Sequence, residues 1–138
     1  MSGEPTLAGQ QLQNGPVGHD ISGTGFTPSQ LTRLDEALTL SSRESGLTFS
    51  VYIGALKPPT RGHAEALFER LADDSVLIAV SPGQRAMHIV TGPASTTRLP
   101  NRACALAALA MRASFTNGEL IGGIVTGLRM LADSAGHA

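Results

Sequence analysis

Two adjacent carboxylates, Asp73 and Asp74, stand shortly before an apolar run that begins at Val76. Carboxylate oxygens are hard ligands of the kind that calcium and magnesium prefer in proteins. The pair is therefore a candidate metal site for calcium or magnesium. A polar turn that leads into a strand accounts for the same two residues without a metal, so both interpretations stay open.

Binding of a small anion is the second chemistry that the residue types allow. Arg85 and Arg98 flank a predicted strand, and a guanidinium group matches phosphate oxygens with two parallel hydrogen bonds. Ser50 and Tyr52 alternate on the polar side of an earlier strand and offer hydroxyl groups. We therefore predict these four residues as the ligand-binding set.

Histidine and cysteine indicate no further site. The four histidines, at positions 19, 63, 88 and 137, lack the spacing of metal ligands. His88 shares a strand face with Ala86 and Val90, which favours a partly buried, hydrogen-bonded histidine over a ligand. Cys104 is the single cysteine, which excludes a disulfide within this sequence. No nucleophile elbow, Walker loop or dinucleotide-binding glycine motif is present, so the sequence indicates no catalytic residue.

The composition fits one globular domain. The chain has 138 residues, of which 41% are hydrophobic, enough for a substantial core. Charged residues make up 15%, the net charge is −1 and the ten basic residues are scattered, which argues against a nucleic-acid partner. The first residues form no basic and apolar leader, and no apolar stretch approaches about 20 residues. We expect a soluble, cytoplasmic protein without a membrane span.

Residues 1–25 are predicted to form a flexible arm. They contain six glycines and two prolines, so little apolar surface is available to offset the entropy of ordering them. Within this arm, residues 17–21 are the segment that fits one short strand. The folded domain is expected over residues 26–135.

The first predicted helix has signals at both ends. Thr27 and Gln30 form a capping box, and Pro28 takes the first helical position. Gly46 is placed to end the helix in the left-handed conformation. A strand then follows at residues 47–53, because apolar and polar side chains alternate there.

Two strands joined by a tight turn form the most regular pattern in the chain. Residues 76–80 are apolar on both faces, as expected of a central strand with helices on both sides. Residues 85–91 must run antiparallel to them, because the connection is too short for a crossover. Pro82 and Gly83 occupy the two central turn positions and predict a type II turn with positive φ at Gly83.

Three further helices complete the predicted fold, at residues 60–72, 102–115 and 119–134. Gly123 and Gly127 predict that the last helix approaches its neighbours closely. The element order is α-β-α-β-β-α-α, in which the first two strands, joined by a helix, should be parallel. We therefore predict an α/β (α+β) domain, with a three- to four-stranded mixed sheet flanked by helices on both faces.

This order, with these particular residues, resembles the TPM domain, a family of thylakoid-lumen proteins and their bacterial relatives. The points of contact are Leu47-Thr-Phe-Ser-Val-Tyr-Ile, Val76-Leu-Ile-Ala-Val-Ser-Pro and Arg85-Ala-Met-His-Ile-Val-Thr-Gly, and the match covers about residues 27–134. Gly127-Leu-Arg-Met-Leu-Ala-Asp looks like an uncharacterised cytoplasmic branch of the family in high-GC bacteria.

The resemblance implies several functions for this chain. Members of the TPM family are associated with weak acid-phosphatase activity, calcium binding or the maintenance of membrane complexes. The acidic residues usual in that family's strand-to-strand turn are replaced here by Pro82-Gly83-Gln84. We therefore expect a non-catalytic module that binds or docks a protein or a small anionic partner, or that associates with itself. The alternatives are a weak metal-assisted acid phosphatase and a carrier of a small ligand.

Overall fold

The computed structural model describes residues 6–8 and 26–136 as four strands, four helices and the turns that join them. In chain order the elements are β1 (Thr6–Ala8), α1 (Pro28–Ser45), β2 (Thr48–Ile53), α2 (Thr60–Phe68), β3 (Ser75–Ser81), β4 (Ala86–Thr91), α3 (Asn101–Thr116) and α4 (Leu120–Ala135). From α1 onward, this is the predicted order α-β-α-β-β-α-α. Helix α2 ends at Phe68 rather than at residue 72, and a turn replaces its predicted last residues.

The described residues form one mixed sheet with the strand order β1-β2-β3-β4. β2 and β3 run parallel, with Thr48 opposite Ser75, and α2 makes the crossover between them. β3 and β4 run antiparallel, with Ser81 opposite Ala86 next to the connecting turn. Both relations confirm the prediction, and the four strands lie within the predicted range.

The edge strand β1 comes from the segment predicted as an arm. Thr6–Ala8 pairs antiparallel with residues 51–53 of β2. Three residues are too few to show the alternation from which a strand is predicted. The strand predicted at residues 17–21 lies outside the described residues.

Helices cover both faces of the sheet. α1, α3 and α4 lie on one face and enclose the larger core cluster, in which Leu34, Met111 and Leu128 are fully buried. α2 covers the opposite face with a smaller cluster that includes Tyr52 and Leu77. Because β3 is covered on both sides, all seven of its residues are buried. The apolar run at residues 76–80 therefore matches the central position of this strand.

The predicted caps of α1 are present. The Thr27 hydroxyl accepts the backbone N–H of Gln30 at 3.1 Å, and the Gln30 side chain accepts the backbone N–H of Thr27 at 2.8 Å. At the other end, Gly46 has φ 79° and its N–H donates to the Ser42 carbonyl. These reciprocal bonds satisfy groups that a helix end leaves unpaired.

Helices α3 and α4 pack closely at two glycines, as predicted. A Cβ on Gly127 would lie 2.5 Å from Sδ of Met111, and one on Gly123 would lie 2.8 Å from the ring of Phe115. Atoms cannot approach that closely, so each of these positions requires glycine for the helices to stay in contact. None of the helices in the described ranges is both long and apolar enough to cross a bilayer.

The turn between β3 and β4 differs from the predicted type II turn. Pro82–Gln84 forms a single 3₁₀ turn, and the residue with positive φ is Arg85, at φ 53° and ψ 39°. The Arg85 N–H donates to the Pro82 carbonyl at 3.1 Å, which closes the turn one residue later than predicted. The prediction was wrong about Gly83, because a 3₁₀ turn places its second residue in the right-handed region.

Candidate functional site

Asp73 and Asp74 form the turn that leads into β3. Their carbonyl oxygens, which a calcium ion could use, already accept backbone N–H groups of Ala94 and Thr48, each at 3.2 Å. Among the described residues, no third His, Cys, Asp or Glu side chain joins the pair in a group that could hold a metal ion. The two carboxylates are therefore an incomplete ligand set for calcium, which takes six to eight oxygens.

Ser50 and Tyr52 are fully buried on the face of β2 that α2 covers. The Tyr52 hydroxyl donates to the Ala55 carbonyl, and its ring contacts the ring of His63 edge-on, with centroids 6.2 Å apart. The Ser50 hydroxyl has no hydrogen-bond partner within the described part of the chain. The structure therefore places both predicted ligand-binding hydroxyls in the core rather than at a surface.

Arg98 contacts the end of the last helix. Its guanidinium donates to the Ala135 carbonyl at 2.8 and 3.3 Å and to the Gly136 carbonyl at 3.1 Å. A cation at the C-terminus of a helix is favoured by the helix dipole. Arg98 follows β4 whereas Arg85 precedes it, so the length of that strand, about 17 Å, separates them. The structure does not bring the two predicted arginines into one site.

His88 is a half-buried, hydrogen-bonded side chain, as predicted. Its Nε2 lies 2.8 Å from the Thr60 hydroxyl at the beginning of α2. Arg61, the next residue of α2, donates to the Ile89 carbonyl at 3.1 Å and to the exposed carboxylate of Glu65 at 3.0 Å. These contacts attach the start of α2 to β4.

The pKa of His88 is lowered from the ordinary value of 6.5, first by desolvation of the ring and then by the charges of Arg61 and Arg112. We expect an NMR titration of the His88 ring, assigned with His88→Gln, to give a midpoint below 6.5. Because the folded-state pKa is the lower one, this group makes folding less favourable as the pH falls from 6.5 to the folded midpoint. A midpoint at or above 6.5 would contradict the environment described for this ring.

An open groove of about 500 Å³ lies between the β3–β4 turn and the junction of α3 with α4. We call it the hairpin groove. The described residues that line it are Val80, Ser81, Pro82, Arg85, Ala86, Met87, Arg112, Phe115, Thr116, Gly118 and Leu120. Its charged side chains are the two arginines, and none of these lining residues is acidic. The groove lies near the carboxyl ends of the parallel strands β2 and β3, where open α/β sheets commonly bind ligands.

Arg85 stands at this groove in a conformation that arginine seldom adopts. Within the described ranges it is the one non-glycine residue with positive φ. A left-handed residue with a side chain costs about 1 kcal/mol relative to the right-handed conformation, whereas glycine adopts it freely. Its side chain is exposed, so packing does not account for an arginine there. The hairpin geometry accounts for this conformation, because a tight turn between antiparallel strands is commonly followed by one left-handed residue.

Arg112 is a groove residue that sequence analysis missed. It lies in the last turns of α3, exposed, and reaches the hairpin groove although 27 residues separate it from Arg85. A basic residue on the polar side of a predicted helix is ordinarily interpreted as a solvent-exposed side chain. The one sequence signal was its isolation, because α3 contains no acidic residue to pair with it.

Gln84 attaches the β3–β4 turn to the loop after β2. Its Nε2 donates to the Leu56 carbonyl at 2.8 Å, and its Oε1 accepts the Leu56 N–H at 2.8 Å. The Ser81 hydroxyl donates to the same Oε1. These bonds hold the backbone next to Arg85 in place, so one edge of the hairpin groove is preorganised.

Solved structures with the same fold come from several bacteria. A protein of the psychrophilic bacterium Bizionia argentinensis, known as BA42, has a TM-score of 0.73 at 14% identity, with 80% of this chain and 81% of that chain covered. The N-terminal domain of a protein from P. gingivalis has a TM-score of 0.69 at 14% identity, with 79% of this chain and 75% of that chain covered. At this identity, the similarity shows the fold alone.

Two sequence relatives share more sequence identity with this chain than those solved structures do. Two uncharacterised proteins of Mycobacterium tuberculosis, from strains H37Rv and CDC 1551, are each 36% identical over 115 residues. Each alignment covers 82% of this chain and 68% of the relative. The model of a family described as a domain of unknown function, DUF5130, matches residues 7–132. The chain therefore belongs to the DUF5130 family.

Proposed function

We propose that this domain is a non-catalytic binding module that takes an anionic group of its partner in the hairpin groove. The observation that carries the proposal is the pair of arginines, Arg85 and Arg112, that line one groove from two different elements. Neither side chain forms an ion pair or hydrogen bond with another described residue. Two cations without a carboxylate between them favour an anion, and guanidinium groups bind phosphate or carboxylate oxygens in pairs.

The other groove residues support an anion that carries an apolar body. Val80 and Met87 are buried beneath the groove, and Phe115 and Leu120 are half-buried at its side. Apolar walls lower the local dielectric constant and strengthen the attraction between a guanidinium and an anion. A phosphate or carboxylate attached to an apolar group would therefore bind more tightly than the free ion.

The alternative, a weak metal-assisted phosphatase, needs phosphate-binding and metal-binding groups at one centre. Asp73 and Asp74 precede β3, whereas the hairpin groove follows it, so the length of β3, about 20 Å, separates them. Arg98 lies toward the same end of β3 as Asp73, but its guanidinium contacts the end of α4. The binding proposal thus rests on residues that lie together, and the phosphatase proposal does not.

Three broader statements belong to the same proposal. Kinship with the TPM domain is supported by the segments that resemble it and by the shared element order. A cytoplasmic location is part of the same proposal, and the unpaired thiol of Cys104 is compatible with a reducing compartment. A protein partner is supported by the exposed side chains of Leu106 and Leu109, which lie on the same helix as Arg112.

A titration with phenyl phosphate tests the proposed function. We expect amide NMR shifts to saturate around the hairpin groove, and phenyl phosphate to bind more tightly than inorganic phosphate. Arg112→Ala and Arg85→Gly should each weaken binding roughly tenfold, because each removes one charged pair of hydrogen bonds. Arg85→Gly should at the same time raise the free energy of unfolding by about 1 kcal/mol, because glycine adopts positive φ without strain.

Arg70→Ala is the matched control for that titration. Arg70 is exposed in the turn after α2 and does not line the groove, so its loss should leave the affinity unchanged. Equal affinities in the wild-type protein and both groove variants would refute the proposed site, as would shifts that saturate elsewhere. Loss of affinity in Arg70→Ala as well would indicate attraction by overall charge alone.

A further inference from the structure

Helix α3 presents an apolar stripe to solvent next to the hairpin groove. Leu106 and Leu109 are 51% and 65% exposed, and they are three residues apart on one side of the helix. Residues at this spacing are neighbours on a helix surface. Among the described residues, Leu40 on α1 is the only other large apolar side chain exposed to this degree. We call Leu106 and Leu109 the leucine stripe.

The leucine stripe and the hairpin groove form one continuous surface. Arg112 is three residues beyond Leu109 on the same side of α3, and it also lines the groove together with Phe115. Arg102 lies four residues before Leu106, at the other end of the stripe. The sixteen residues of α3 include these two arginines and no carboxylate. The surface is therefore apolar along its middle and positive at both ends.

The charges on this surface decide between its candidate occupants. In a parallel pairing with a second copy, each arginine would meet its own counterpart. In an antiparallel pairing about the leucine stripe, Arg102 would lie close to Arg112 of the other copy. Like charges would meet in both cases, which opposes self-association. Two arginines on a chain of net charge −1 also provide little attraction to an anionic membrane.

We propose that α3 docks an amphipathic helix of a protein partner whose apolar stripe is flanked by aspartate or glutamate. The partner's apolar side chains lie on Leu106 and Leu109, and its carboxylates meet Arg102 and Arg112. One of these carboxylates enters the hairpin groove beside Arg85, so the inference rests on the proposed function of that groove. This arrangement is the common mode in which an amphipathic helix lies along an apolar surface.

Fluorescence anisotropy with two labelled peptides tests the proposal on the full chain. Each peptide has about 18 residues with leucines at helical spacing; one carries glutamates beside the leucines and the other carries lysines. We expect the glutamate peptide to bind roughly tenfold more tightly at low salt, and its advantage to shrink as salt is added. The double variant Leu106→Ser/Leu109→Ser should lose roughly tenfold in affinity for it.

Two controls separate this inference from the proposed groove function. Leu40→Ser removes a comparably exposed leucine from α1, so it should leave peptide binding unchanged. Binding of phenyl phosphate should be the same in the leucine-stripe double variant and in the wild-type protein. If Leu106→Ser/Leu109→Ser binds the glutamate peptide as tightly as the wild-type protein does, while phenyl phosphate still binds, the docking inference is overturned and the groove function is not. Absence of phenyl phosphate binding by the wild-type protein would overturn the groove function.

The other occupants give distinct results that also overturn the docking inference. If a second copy covers the leucine stripe, analytical ultracentrifugation will show a dimer that Leu106→Ser/Leu109→Ser dissociates. If a membrane covers it, the chain will bind phosphatidylglycerol vesicles but neither peptide. Equal affinity for the two peptides, or no saturable binding of either at millimolar concentration, would refute an acidic helical partner.

Discussion

Replacing Gly127 by valine is expected to lower the free energy of unfolding by about 3 kcal/mol. A Cβ at this position would lie 2.5 Å from Sδ and 2.7 Å from Cγ of Met111. Met111 is fully buried in the larger core cluster, so its side chain has no free space to enter. Relief therefore requires Met111 to move against its core neighbours or α3 and α4 to move apart, and either change disturbs the packing of the core. Urea unfolding followed by circular dichroism measures the loss.

Gly122→Ala is the control in the same helix. The nearest atoms to a Cβ on Gly122 are 3.7 Å away, and the residue is half exposed. Alanine there should raise the free energy of unfolding, by up to about 1 kcal/mol, because it favours the helix over the unfolded chain. The cost of Gly127→Val should also be smaller in a Met111→Ala background, where the obstructing side chain is absent. Additive losses in that double variant would refute the steric explanation.

Replacing Gln84 by alanine should lower the free energy of unfolding by about 2 kcal/mol. The variant loses both hydrogen bonds between the Gln84 side chain and the Leu56 backbone. The N–H and the carbonyl of Leu56 are then left without these partners. The loop after β2 should then open locally. Hydrogen exchange of the Leu56 amide should accelerate by roughly tenfold or more, since about 1.4 kcal/mol corresponds to one factor of ten.

Gly83→Ala tests whether any change in this turn has the same effect. A Cβ on Gly83 meets nothing within 4 Å, and its φ is not positive, so alanine fits without strain. Exchange at Leu56 should therefore be unchanged in Gly83→Ala. If the Leu56 amide exchanges at the wild-type rate in Gln84→Ala, the loop is held by other contacts and the groove edge does not depend on Gln84.

The fold was predictable because its signals are local. The Thr27 and Gln30 capping box, the left-handed Gly46 and the short β3–β4 connection each act within a few residues, and each is present. Strand direction followed from connection length, since a helix permits a parallel pair and a tight turn does not. Three features were not predicted correctly: strand β1, the end of α2 and the turn between β3 and β4. In that turn, φ at Gly83 depends on which of two compatible turns the surrounding strands select.

The candidate site was less predictable because it is assembled over long sequence distances. Arg85 was identified from its residue type, but the groove pairs it with Arg112 rather than with Arg98. No sequence pattern reports that the end of α3 faces the β3–β4 turn. Similarly, the alternation of Ser50 and Tyr52 located them on one side of β2, but alternation cannot tell whether α2 or solvent covers that side.

The position of Arg61 bears on how open one edge of the sheet is to a strand of another molecule. Among the described strands β4 lies at an edge of the sheet, and the backbone of an edge strand can pair with a strand from another molecule. The Arg61 guanidinium bonds to the Ile89 carbonyl in the middle of β4, so an incoming strand would have to displace a charged group from that hydrogen bond. A carbonyl that is already bonded gives a neighbouring strand one fewer group to pair with, so Arg61 partly closes this edge to extension of the sheet.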